Sequence, residues 1–545
     1  MFRYLYGYFL DNKQQYIKLA TLDFFARGIE VLIPFINGLL INLIASEINL
    51  NLVLVYAFAL MILNALNMVT MIKRRNLQYF TSFKTANSMM KSIISYIHRV
   101  NYLDVQKYEM SYLTERITND TKSLAQFLVA HYISPIINGI TLLFCCVYFY
   151  FKSKSILFVV IVAMVCYFNV YRFTKKKLHE DNSSMRESQS KYYSALHDQL
   201  GSLKNIKINV LFRESIDYFQ RSFLQYYQHL NQYYRTYNTY ISIDTGVTQL
   251  FQFIVLLVCA IEIMNKTVEI GDFVAVTSYF YLVISNLQYF MTLGKEYQDA
   301  LVSYKRVDEL LSWDQEIHGV KKLDSIEEIA VEHLSFSYNS KTIILKNFSY
   351  CFRKNCLYVL HGKNGIGKTT FLNLITGLYA SNEANQIRYN DSYIEELDMS
   401  YLRSTLIAYS NTEFSKLTNS FYEDVITKKQ YRSMDGIKHD PKITGVLDTF
   451  DNEVKHKKFW SFSYGEMKKS EMLLILNKNS SVIILDEPTV GLDFKSKEAI
   501  LEMLVNIKKN RIVIIVSHDQ DIITLADFLI DANWFSQIEE INVAI

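Results

Sequence analysis

Helix breakers are scarce in this chain, with 4 prolines and 17 glycines in 545 residues. Beside 50% hydrophobic residues, that scarcity favours long, unbroken helices over a turn-rich β protein. Charge of one sign is missing as well. Lysine and arginine (57) nearly balance aspartate and glutamate (54), so a net +3 offers nucleic acid no basic field. The six cysteines lack paired CxxC spacing. Cys145, Cys146, Cys166 and Cys259 lie in apolar stretches, Cys351 and Cys356 in the C-terminal part. All six read as reduced packing thiols rather than metal ligands. The opening MFRYLYGYFLDNKQQYIKLA has no small-residue cleavage site after an apolar core. It reads as an amphipathic helix lying at a membrane interface, not as a removable signal. Neither an internal repeat nor a low-complexity segment is evident.

What is present falls into two halves. Up to about residue 312, apolar segments recur that reach the ~20 residues needed to cross a bilayer. Six are expected: near 17–44, 52–72, 124–151, 156–173, 243–264 and 273–293. Their links alternate, short then long. The long second-to-third and fourth-to-fifth links carry Lys73, Arg74, Arg75, Lys84 and Lys91, then Lys175, Lys176, Lys177 and Arg186. The positive-inside rule makes those links cytoplasmic and puts both termini inside. Each link has room for two helical arms, with turns expected near Tyr112–Asp120 and Gly201–Glu214. From 313 to 545 the pattern changes. Short β-like runs such as IAVEHLSFSY, LYVLHG, SVIILDE and RIVIIVSH alternate with helical stretches, as in a parallel α/β domain. The expected architecture is thus a six-helix membrane bundle (1–312) fused to an α/β P-loop ATPase domain (313–545).

The chemistry concentrates in that second half. In LYVLHGKNGIGKTTFLNLITG, Gly362 is followed after four residues by Gly367-Lys368-Thr369, with a strand before and a helix after. Glycines, Gly365 among them, let the backbone wrap phosphate, and the N–H groups converge at a helix N-terminus. Asn364 and Thr370 belong to the same cradle. Lys368 is expected to reach the β- and γ-phosphates of ATP, and Thr369 to ligate Mg²⁺. In SVIILDEPTVGLD a buried strand ends in Asp486 and Glu487. Asp486 suits Mg²⁺ held through water, and Glu487 suits polarising an attacking water.

The order of P-loop, a Ser/Gly-containing turn, LDEPT, GLD and a late SHD resembles the ATP-binding domain of ABC transporters. The six-helix layout with two long links resembles their exporter (type IV) family, and the resemblance covers essentially the whole chain. Pro34 in IPFINGLLINLI, RITNDT at 116–121, EIGDF at 269–273 and YKRVDELL at 304–311 resemble landmarks of that family. The resemblance implies that Tyr338 stacks on adenine, a role that aromatic rings fill without sequence readout. It further implies that Ser463 and Gly465 contact ATP bound to a second half-transporter. By the same likeness, Asp493 couples the two sites and His518 contacts the γ-phosphate. The partner is either an identical chain or a different one.

Three departures from the family pattern stand out. The signature turn, usually LSGGQ, reads FSYGE: Tyr464 takes a glycine's place, and Glu466 adds negative charge near the triphosphate. The glutamine between P-loop and signature is missing, with Thr412 at the matching position. The acidic, glycine-containing segment before the signature has no clear counterpart in NEVKHKKFW. The nucleotide-holding and catalytic residues (Lys368, Thr369, Asp486, Glu487, His518) are intact, so the asymmetry lies in what is offered to the partner.

The first span carries Asp23, Arg27 and Glu30 on one helical stripe. His131, Asn138, Asp244, Gln249, Gln252 and Glu262 add polarity, and Tyr132, Tyr279, Tyr281 and Tyr289 add amphipathic surface. One reading is structural pairing, with Asp23–Arg27 as a pair. The other is a hydrated cavity, since ionisable groups facing lipid cost about 2.5–3.5 kcal/mol. The expected activity is ATP-driven export across a bacterial plasma membrane, with membrane lipid around the spans. A peptide or other amphipathic cargo is favoured. Export of lipid or hydrophobic drug-like molecules is the alternative, as is an ATP-gated channel or regulator with weak hydrolysis. A DNA-bound soluble ATPase is excluded by the spans. The first span begins near the chain's start, so no N-terminal protease domain is expected and a peptide cargo would mature elsewhere.

Overall fold

A computed structural model describes residues 1–46, 50–108, 110–316, 319–339, 342–410, 462–476, 478 and 480–536. They group into two compact units. The first comprises Met1–Ser95 and Met110–Leu311, the second Tyr96–Glu109 and Ser312–Ile545.

The first unit is helical. A short α1 (Phe2–Asp11) precedes α2 (Lys13–Ser46) and α3 (Leu50–Ile97). The small α4 (Tyr102–Gln106) follows and belongs to the second unit. Next come α5 (Met110–Glu115), a π turn at Arg116–Asp120, α6 (Thr121–His131) and α7 (Ser134–Lys152). The long arms are α8 (Lys154–Gly201) and α10 (Phe212–Met264), joined through α9 (Leu203–Ile208), and α11 (Ile270–Leu311) closes the unit. Among the described residues, six helical stretches are long and apolar enough to span a bilayer. Half of the most apolar window of α11 is buried inside the chain, against 6% for that of α3, so α11 is the central helix and α3 an outer one. The buried core runs through Cys145 and Phe149 of α7, Val160 and Tyr167 of α8, Val255 and Cys259 of α10, and Tyr279, Phe280 and Val283 of α11.

Three details differ from the sequence reading. The first long link turns at 98–108, around α4, and not at Tyr112–Asp120, because Met110–Asp120 continues the helix into α6 through the π turn. The third span is interrupted at Tyr132–Ile133, just ahead of Pro135, which sits in the first turn of α7 where its missing N–H costs nothing. Asp23 pairs with Arg74 of α3 (2.6 Å) rather than with Arg27, which bonds Glu30 (2.7 Å). The structure therefore satisfies that polar stripe partly between helices. Two landmarks meet at the base of the bundle. Arg116 of RITNDT reaches Glu309 (2.9 Å), and Arg306 lies 3.9 Å from Asp120.

The second unit is α/β. An antiparallel sheet, in the order β2-β1-β4-β5, uses β1 (Glu328–Asn339), β2 (Thr342–Arg353), β4 (Ile387–Tyr389) and β5 (Ser392–Tyr393). A parallel sheet, β6-β7-β8-β3-β9, uses β3 (Cys356–His361), β6 (Ile407–Ser410), β7 (Val482–Asp486), β8 (Ile512–Val516) and β9 (Phe528–Asp531). Helix α12 (Lys368–Ile375) follows β3, and α13 (Met399–Thr405) precedes β6. Further on, α14 (Tyr464–Leu476) precedes β7, α15 (Phe494–Ile507) follows it, and α16 (Gln520–Leu525) follows β8. Strands β7 and β8 are buried at every residue, as expected for apolar runs covered on both faces.

Candidate nucleotide site

The parallel register brings three loops to one edge of the sheet. Val516 at the end of β8 pairs with both Leu360 of β3 and Asp486 of β7. The loops after these strands therefore emerge side by side, at the carboxyl ends where α/β sheets bind ligands. The loop after β3 is the glycine-rich one. Gly367 has φ +110°, and a side chain there would press into Ile344, so glycine is required just before α12.

A cavity of ≈ 420 Å³ opens at this edge. Tyr338, Asn364, Gly365, Gly367, Lys368, Thr369, Thr370, Asp486 and Glu487 line it. Gly362 starts the loop, and its carbonyl accepts from Lys368 Nζ at 2.5 Å. That ammonium also lies 3.1 Å from His518 Nε2, which is 3.2 Å from Asn364 Oδ1 and 3.9 Å from Glu487 Oε1. Burial pulls the Lys368 ammonium below the usual lysine range. Burial also raises both carboxyls, Asp486 against nearby Lys468 and Glu487 against nearby His518. Thr369 Oγ1 donates to Asp486 Oδ2 at 3.4 Å. A hydroxyl and a carboxylate are the oxygen donors that Mg²⁺ takes, so Thr369 would hold the ion and Asp486 would hold it through water. Tyr338 is 44% exposed at the cavity rim, its hydroxyl 2.7 Å from Thr370 Oγ1 and its ring edge-on to Phe336 and Tyr379.

Ser463, Gly465 and Asp493 do not line this cavity. Ser463 and Gly465 stand at the start of α14, and Asp493 stands at the start of α15. Ser463 N–H donates to Glu466 Oε2 (2.8 Å) and Glu466 N–H to Ser463 Oγ (3.3 Å), a reciprocal capping box of the S-x-x-E type. Glu466 is thus not a loose charge but the cap of its own helix. The ring of Tyr464 lies against Gly491, whose φ of +77° and lack of a side chain leave room for it. Asp493 caps α15 through Ser496 N–H (2.9 Å) and Oγ (2.8 Å), and Lys469 reaches it at 3.2 Å. Thr412 and the segment NEVKHKKFW lie outside the described residues.

The sequence reading passed over Lys468, Glu471 and Ser410, which meet behind Asp486. Opposite charges three residues apart, on a helix just before the apolar strand that ends in Asp486, were the available signal.

In the first unit, a cavity of ≈ 290 Å³ lies among α8, α10 and α11. Tyr171, Lys175, His179, Tyr233, Tyr237, Tyr240 and Lys295 face it, with the Lys175 ammonium 5.5 Å from the Tyr171 ring centre. Several polar residues of the spans meet partners: His131 meets Tyr289 (3.0 Å) and Glu296 (2.5 Å), and Gln288 donates to Asp244 (2.9 Å).

A bundle with six potential spans, continued by a domain whose P-loop faces a carboxylate-tipped strand, defines a membrane protein powered by nucleotide. The comparisons agree. Residues 345–490 match the family described as ABC transporter, and residues 17–287 match the ABC transporter transmembrane region. The chain belongs to the ABC transporters, as an exporter-type half-transporter with its membrane and ATP-binding domains fused. It is a multi-pass membrane protein that binds ATP and couples its hydrolysis to export. A probable ABC transporter ATP-binding/permease protein of Haemophilus influenzae is 23% identical over 83% of this chain and 83% of its own length. An ATP-dependent lipid A-core flippase of Shewanella frigidimarina is 21% identical over 82% of this chain and 77% of its own. The fold matches the structure of a bacterial Atm1-family ABC exporter with ATP bound, at a TM-score of 0.80, 15% identity, 96% of this chain and 94% of the other.

Proposed function

We propose that two such half-transporters, identical or different, form an exporter in a bacterial plasma membrane, with termini and ATP-binding domains in the cytoplasm. ATP sits between the P-loop of one subunit and the signature turn, Ser463 and Gly465, of the other. Lys368 holds the β- and γ-phosphates, and the Tyr338 ring stacks on adenine. Thr369 and Asp486 hold Mg²⁺, which when bound neutralises phosphate charge. Glu487 accepts a hydrogen bond from the attacking water and polarises it, His518 contacts the γ-phosphate, and Asp493 links the two sites. Closure of the pair moves the turns around α4 and α9 and rocks the membrane helices from inward- to outward-open. That works only because ATP binds the closed state more tightly than the open one.

For the cargo we favour a peptide or other amphipathic molecule, one bearing an acidic group. The observation that carries this is the cavity lined by four tyrosines and two lysines, where rings meet apolar surface and the ammonium groups meet a carboxylate. In proteoliposomes, acidic peptides are expected to stimulate ATPase, and Lys175→Ala with Lys295→Ala to abolish the stimulation while basal turnover persists. ATPase that answers to lipids or hydrophobic drugs but to no peptide would overturn the cargo reading.

A further inference from the structure

Behind the nucleotide cavity sits a buried charge pair that none of the expected roles uses. Lys468 and Glu471, on successive turns of α14, are 5% and 3% exposed. Their ionic groups lie 3.0 Å apart. Glu471 Oε1 accepts from the Ser410 hydroxyl at 2.7 Å, at the end of β6. Lys468 Nζ lies 3.3 Å from that same hydroxyl oxygen and donates to the backbone carbonyl of Asp486 at 3.3 Å. That carbonyl belongs to the peptide joining Asp486 to Glu487. On the other side, Glu487 N–H donates to Val516 O at 2.9 Å. The peptide is therefore gripped at both its oxygen and its nitrogen.

The grip matters because Glu487 is a non-glycine residue at φ +48°. Left-handed backbone is costly for an L-residue and persists only where its surroundings over-determine it. An isolated buried ammonium would be costly, and Glu471 offsets it.

We infer that Lys468, anchored by Glu471 and Ser410, is a positioning residue that holds the Asp486–Glu487 peptide, and so aims the Glu487 carboxylate. Because Lys468 sits on the helix that begins at Tyr464, the signature turn offered to the partner is tied to the chain's own catalytic carboxylate. The inference rests on Glu487 as the group that polarises water.

The test pairs Lys468→Met with Glu471→Leu in the full transporter, since apolar replacement of a buried ion pair is often neutral or stabilising. Thermal unfolding is expected to stay at or above the wild-type midpoint. Equilibrium binding of a fluorescent ATP analogue is expected to change little. The kcat is expected to fall at least about tenfold, a modest share of what a positioned base contributes. Lys468→Arg, which keeps the charge and a donor, is expected to recover much of the rate. A folded double variant with wild-type kcat would overturn the clamp, as would one whose lost rate is matched by lost ATP affinity. Glu487→Gln is measured in parallel. Wild-type turnover in that variant would overturn the reading of Glu487 itself, whatever the clamp does.

Discussion

Asp493, proposed to link two sites, first serves its own helix. Hydrogen bonds from Ser496 N–H and Oγ, then Lys469, hold its carboxyl well below the usual carboxylate range. A lowered pKa in the folded state means stability that is complete above the unfolded value of about 3.9 and lost as pH falls through the folded one. At neutral pH, Asp493→Ala is expected to cost about 1 kcal/mol as a lost N-cap, and Asp493→Asn much less. As pH drops below about 4, the gap between wild type and Asp493→Ala should narrow, while that between Asp493→Asn and Asp493→Ala should not. Urea unfolding of the detergent-solubilised chain across that range checks both. A gap independent of pH would mean that the carboxylate charge contributes nothing to the cap. The sequence made Asp493 legible through its GLD context, but not its cap, which depends on where α15 begins. Glu466 was legible only as a charge, because its partner N–H exists only once α14 has formed.

At the scale of elements, spans and strands were readable because hydrophobic period and length are local. The turn of the first link was not, because Met110–Asp120 carries turn-like polar residues and yet continues a helix. What identifies the turn is packing on another part of the chain. Residues 96–109 group with the ATP-binding unit. Tyr379, close after the P-loop helix, donates to Gln106 of the α4 turn at 2.6 Å and stacks on Tyr102. The Tyr379 ring also meets Tyr338 edge-on. The α4 turn and the cavity rim at Tyr338 are thus joined by a short run of rings. Tyr379→Phe keeps the rings and removes one hydrogen bond, so a stability loss of about 1 kcal/mol is expected. Gln106→Leu should cost a similar amount, and the pair no more than either alone, because both remove the same bond. If this contact transmits closure, each variant keeps ATPase but moves less cargo per ATP. Unchanged stoichiometry in reconstituted vesicles would show that the contact only holds α4 in place.

For the whole molecule, the question is what this chain gives its partner. The unusual signature turn is self-satisfied: Ser463 and Glu466 already occupy each other's backbone N–H groups. In the proposed dimer, a partner's γ-phosphate arriving at that helix N-terminus would meet a carboxylate where the family pattern has a neutral amide. Two charges of the same sign about 4 Å apart repel by about 4 kcal/mol at an effective dielectric of 20, less what solvent and bound cations screen. Glu466→Gln keeps the capping geometry, which accepts either residue, and removes the charge. It is therefore expected to leave folding unchanged and to strengthen ATP-driven closure, most visibly in the Glu487→Gln background where ATP is retained. Crosslinking or spin-label distances between the two ATP-binding domains, titrated with ATP, read this directly. In a homodimer both sites carry the altered turn, so the gain should appear in both and the parent turnover should be slow. In a heterodimer one site borrows an intact signature from the partner, so the chain purified alone should be nearly inactive and Glu466→Gln should rescue it. Fast turnover by the unmodified chain alone, abolished by Glu487→Gln, would show that FSYGE is a competent signature and that the second partner is not needed.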